Sequence, residues 1–94
     1  MIVLQIEHMV PHFEGWKKAF ESDPIKRKEA GVRRYRIYRP IEDASYVIID
    51  LEFENLKDAQ DTLTGLRSLW NKVEGQVMMH PKTRILDIVE TMDV

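Results

Sequence analysis

Positions 2–10, IVLQIEHMV, are almost continuously apolar, with polar side chains entering only toward the end of the run. A short stretch this rich in β-branched and aliphatic residues suits a central strand, predicted here over Ile2–Val10. Pro11 disfavours a helical Val10 and fits the first position of a helix that follows. In that helix Phe13, Trp16 and Phe20 recur at spacings of three and four, the mark of one buried stripe. Asp23 and Pro24 read as the cap and first residue of a short second helix, which Gly31 stops. Two β-rich runs come next, Val32–Arg39 and Ser45–Phe53, joined by PIEDA as a hairpin loop. Asn55 caps a last helix whose stripe is Ala59, Leu63, Leu66 and Trp70, with Gly65 a point for a kink. EGQVMMHPKT, residues 74–83, reads as loop, and RILDIVE, Arg84–Glu90, as the final strand.

The order βαββαβ, with no repeat or linker, predicts a single α+β domain over residues 1–94. Two amphipathic helices on one face of a four-stranded antiparallel sheet make a ferredoxin-like fold with strand order 4-1-3-2. A symmetric hairpin sets Tyr38 opposite Tyr46, Arg36 opposite Ile48, Arg34 opposite Asp50 and Val32 opposite Glu52. Tyr35, Ile37, Val47, Ile49, Leu51 and Phe53 then face the helices. Arg34, Arg36, Tyr38, Tyr46, Ile48, Asp50 and Glu52 share the other face. A one-residue slip would reverse both rows. The second face reads either as a solvated surface or as a two-fold interface, and its tyrosines and isoleucine favour the interface.

Composition narrows the function. Charged residues make up 32% of the chain and hydrophobic ones 44%, ordinary values for a globular domain. A net charge of -2 provides no general attraction to nucleic acid or anionic membrane, and the runs KRK and RRYR are balanced by nearby acids. There is no cysteine, so thiolate chemistry and cysteine-based zinc sites are excluded. The N-terminal run is too short for a membrane span and has no basic leader, so a cytoplasmic location is expected.

A histidine ending strand one, FEGWKKAF on the first helix, GVRRYRIYRP on strand two and ASYVIIDLEFENLKDAQ into the last helix form a pattern. It resembles the dimeric α+β barrel superfamily, in particular small proteins like the antibiotic-biosynthesis monooxygenases. The resemblance implies a homodimer with two sheets face to face, and a ligand cleft between sheet and helices in each monomer. Such families hold cofactor-independent monooxygenases, haem-degrading enzymes and isomerases. Ile2–His12 lacks the asparagine often implicated in the oxygenases. His80, placed in a loop by Gly75 and Pro81, does not match the helical histidine of the haem-degrading branch.

His8 and His12 have the spacing of helical metal ligands, but Pro11 keeps them off one helix, so no metal and no cofactor are expected. The topology instead gathers His8, His12, His80, Arg39, Arg84 and Trp70 at one end of the sheet. His8 shares parity with Leu4 and Ile6 and points toward the helices, near Trp16. His8 is the candidate catalytic base, with Trp16, Trp70, Arg39, His12 and His80 as substrate contacts. The substrate expected is a small aromatic or carboxylated organic molecule. A non-catalytic dimeric binding or carrier protein is the alternative. The same residues also suit plain core, a helix start and a loop.

Overall fold

The computed structural model describes residues 1–73 and 79–94. The elements are β1 (Ile2–Met9), α1 (Phe13–Glu21), α2 (Arg27–Ala30), β2 (Arg34–Tyr38), β3 (Tyr46–Phe53), α3 (Leu56–Val73) and β4 (Met79–Asp87). They form one antiparallel sheet of order β2-β3-β1-β4, the expected ferredoxin-like arrangement. β1 is central, so both its ladders are paired, and its apolar run needs no solvated edge. Leu4 and Ile6 of β1, with Val47, Ile49, Leu51 and Phe53 of β3, are buried against Trp16, Ala59 and Leu66 of the helices. This core lies on the helix side of the sheet.

The helix starts depend on local capping. His12, not a helical Pro11, is the N-cap of α1: its Nδ1 accepts from the Gly15 backbone N–H at 3.1 Å. That satisfies one of the donors a helix start leaves unpaired. At α3, Asn55 accepts from the Asp58 N–H at 2.9 Å and donates back to the Asp58 carboxylate at 3.3 Å. The helix then runs unbroken through Gly65 to Val73. α2 is shorter than expected and begins at Arg27 rather than Pro24. Asp23 and Lys26 have φ of 56° and 53°, so the helix cannot run back through them. Gly31, at φ 97°, closes α2 as expected.

Two corrections concern the sheet. Arg34 lies opposite Glu52, Arg36 opposite Asp50 and Tyr38 opposite Ile48, a shift of two residues from the symmetric closure. The shift keeps every side chain on its expected face, because strand side chains alternate with period two. Its cause is at the loop: Asp43 accepts from the Ser45 N–H at 2.9 Å, and Val10 donates to the Ser45 carbonyl, so Tyr46 begins β3 beside Met9. The second correction is that β4 starts at Met79, not Arg84, and takes in His80 and Pro81. Between Glu7 opposite Lys82 and Met9 opposite Met79, His80 and Pro81 stand against His8 alone, a β-bulge. Pro81 is tolerated because β4 is an edge strand, and His80 absorbs the extra residue at φ 57°. Residues 74–78 of the predicted loop lie outside the described residues.

The helix-free face carries a hydrogen-bonded polar network. Asp50 accepts from Gln5 at 2.9 Å and from the Tyr38 hydroxyl at 3.0 Å. Glu7 accepts from the Tyr46 hydroxyl at 2.8 Å and pairs with Arg84 at 3.1 Å. Arg34 stands 3.8 Å from Glu52 and has no contact with Asp50. The expected Arg34–Asp50 pair is therefore replaced by Tyr38–Asp50. A double-mutant cycle on Tyr38→Phe and Asp50→Asn should give a coupling of about 0.5–1.5 kcal/mol, and one on Arg34→Met and Asp50→Asn none above error. The reverse ranking from chemical denaturation would contradict this register.

Candidate functional site

A cavity of about 250 Å³ opens between the sheet and the helices. Its floor is Ile6 and His8 of β1 with Ile49 and Leu51 of β3. α1 supplies Trp16, Ala19 and Phe20, and α3 supplies Leu66, Leu69 and Trp70. The segment from Ser22 to Arg27 closes the remaining side. These walls follow from the sequence pattern: alternation along the strands and the helical stripes aim apolar side chains at one space.

His8 is the polar group at the floor. The residue is 2% exposed and meets the edge of Trp16 at a ring separation of 5.7 Å. Its Nδ1 lies 3.1 Å from the Met9 carbonyl oxygen. A carbonyl can only accept, so Nδ1 carries the proton and Nε2 holds a lone pair. Burial pushes the imidazole's pKa below its ordinary 6.5, a shift that the Met9 hydrogen bond partly offsets. His8 is therefore a neutral Nδ1–H tautomer near pH 7. Among the described residues the one sealed side-chain polar atom without a partner is Thr62 Oγ1. No hydrogen bond to Nε2 of His8 is present among the described residues, and His8 lines the cavity.

Of the residues selected by sequence, His8, Trp16 and Trp70 meet at this cavity. Arg39, His12 and His80 do not line it. Arg39 lies over the Phe13 ring, 4.4 Å from its centroid. His12 is exposed at the start of α1, where it caps the helix, and His80 is exposed at the β4 bulge. The cation in the cavity wall is Arg27, which sequence reasoning passed over. Its backbone N–H donates to Asp23 Oδ1 at 2.9 Å, and its Nη1 donates to the Phe20 carbonyl at 2.7 Å. The Asp23–Arg27 spacing of four residues was the available signal, since it allows an acid and a base to meet across one turn. Among the described residues no cluster of three or more metal-ligating side chains is present.

No family model matches the chain, and no curated protein does. Solved structures do. A protein of Nitrosomonas europaea grouped with the antibiotic biosynthesis monooxygenases matches over 96% of this chain and 100% of its own, at TM-score 0.73 and 20% identity. SnoaB, a cofactor-independent oxygenase from Streptomyces nogalater, matches over 97% and 95%, at TM-score 0.78 and 8% identity. A dimeric ferredoxin-like protein from an uncultured marine organism matches over 97% of each chain, at TM-score 0.70 and 11% identity. The fold is thus that of the ferredoxin-like proteins around the antibiotic biosynthesis monooxygenases. At these identities the likeness is one of architecture.

Proposed function

We propose that the chain is a homodimeric enzyme in which His8 removes a proton from a small aromatic or other flat organic substrate held between Trp16 and Trp70. The observation that carries this reading is the unpartnered Nε2 of a neutral His8 at the floor of an apolar cavity. An imidazole without a polar neighbour there would cost about 1–3 kcal/mol of desolvation unless water or a ligand meets it. The depressed pKa keeps the base form available at neutral pH. Proton transfer gives a carbanion and an imidazolium. Return of that proton at another atom completes an isomerisation. Where the carbon bears a second hydrogen, addition of the carbanion to dioxygen as co-reactant forms a C–O bond, and the imidazolium returns its proton to give a hydroperoxide. Loss of the second C–H proton with O–O cleavage then leaves a carbonyl and releases water. A methylene and dioxygen thus become a carbonyl and water, which completes an oxygenation. Neither route needs a metal or bound cofactor from this chain.

The two-fold partner is proposed to cover the helix-free face, through Arg34, Arg36, Tyr38, Tyr46, Ile48, Asp50 and Glu52. Two observations support it: half-buried apolar groups beside satisfied polar ones on that face, and a match named as a dimeric ferredoxin-like protein. No helix among the described residues is long and apolar enough to cross a membrane.

Deuterium exchange tests the chemistry. One- and two-ring ketones with an acidic C–H are incubated with the protein in heavy water and followed by proton NMR. Exchange above the buffer rate is expected for the ketones that bind, falling at least about 100-fold in His8→Ala. Equal rates for the two proteins would remove His8 as the base. Binding without any accelerated exchange would instead establish the carrier reading.

A further inference from the structure

Among the described residues the cavity carries one permanent charge in its wall, and it is positive. Beside the neutral His8, the indole N–H groups of Trp16 and Trp70, and Ser22, whose hydroxyl donates to the Ala19 carbonyl at 2.6 Å, Arg27 is the remaining polar side chain among the described residues of the lining. Its side chain is 16% exposed. A guanidinium has five N–H donors, and the Nη1–Phe20 bond is the one side-chain hydrogen bond Arg27 makes among the described residues. Asp23 Oδ1, already accepting the Arg27 backbone N–H, stands at 3.5 Å from Nη1, an ion pair without hydrogen-bond length. The group is also fixed in place. Its central carbon lies 4.1 Å from the Phe20 ring centroid and 5.0 Å from that of Tyr35. A planar cation held against two rings, with donors to spare, is arranged for a planar anion.

Geometry sets the size of that anion. The wall between base and cation is a file of aromatic rings: His8 touches Trp16 at 5.7 Å, Trp16 touches Phe20 at 5.3 Å, and Arg27 lies over Phe20. Two aromatic side chains therefore separate His8 from Arg27. An apolar cavity of roughly 150 Å³ holds one benzene ring, and this one measures about 250 Å³. Building on the substrate cavity proposed above, we propose that its ligand is a monoanionic carboxylate of one or two fused rings, with the carboxylate bound by Arg27 and the opposite edge at His8. A single cation suits a monoanion better than a phosphate dianion. Arg27 is thus a specificity-determining residue rather than a base.

The test compares 2-naphthoate with 2-naphthamide, which match in shape and differ in charge. Calorimetric titration of the unaltered protein should show the carboxylate binding at least about tenfold tighter at low salt. The indole N–H signals of Trp16 and Trp70 should move with the same saturation. In Arg27→Gln the two affinities should come within about twofold of each other, while Arg27→Lys keeps part of the preference. The comparison on the unaltered protein decides the matter even where Arg27→Gln fails to fold. Equal affinities with both indole signals moving would overturn the anion assignment and leave the cavity reading intact. Binding that moves neither indole, or no binding of either compound at millimolar concentration, would overturn both.

Discussion

Ile48→Asp should convert the protein from dimer to monomer at micromolar concentration. Ile48 lies near the middle of the helix-free face, opposite Tyr38 on β2 and Glu7 on β1. That face is the one proposed above as the two-fold interface. Its acids Glu7 and Asp50 are already satisfied by Gln5, Tyr38, Tyr46 and Arg84 within the chain, so they can be covered without being left unpaired. An added carboxylate at position 48 has no such partner and sits beside Glu7. Burying it should cost at least about 3 kcal/mol, on the order of 100-fold in dissociation constant. Sedimentation should give twice the chain mass for the unaltered protein and the single mass for Ile48→Asp. An unaltered protein that sediments as a monomer would show the face to be a free surface.

The second large effect concerns acid stability. His8 has a lower pKa folded than unfolded, because burial disfavours its cation. Below the unfolded value of about 6.5 the unfolded chain takes up a proton that the folded chain does not, so stability falls as pH falls. The loss continues down to the folded-state pKa and then levels off. Above 6.5 this site contributes no slope. One proton corresponds to about 1.4 kcal/mol per pH unit at most. His8→Gln can still donate to the Met9 carbonyl and does not titrate. Its denaturation midpoint should change less than that of the unaltered protein between pH 6.5 and 5. Parallel curves, or an unaltered protein that gains stability on acidification, would contradict the buried neutral tautomer.

Much of this architecture was legible because it depends on period and parity. The run IVLQIEHMV, the stripe Phe13–Trp16–Phe20 and the alternation in β3 each predicted their element and its inward face. The same logic puts His8 beside Trp16, where their rings meet at 5.7 Å. Parity has a blind spot, however. A two-residue shift of the hairpin preserves both faces, so alternation could not distinguish Arg34 from Arg36 opposite Asp50, and the loop geometry at Asp43 decided it. Pro81 pointed to loop because proline lacks a donor. On an edge strand, at a bulge, that deficiency costs little. Arg27 was missed for a third reason. The left-handed residues Asp23 and Lys26 fold α2 back so that its first side chain returns over Phe20, and neither is a glycine that would signal such a turn.

The central claim is that the lone pair of His8 Nε2 faces a ligand space, and nitrogen NMR of the labelled imidazole tests it most directly. At pH 7 the account predicts a neutral ring protonated on Nδ1, with the unprotonated Nε2 signal moving as 2-naphthoate fills the cavity. An imidazolium at that pH, a proton on Nε2, or an Nε2 signal unmoved at saturation would contradict it.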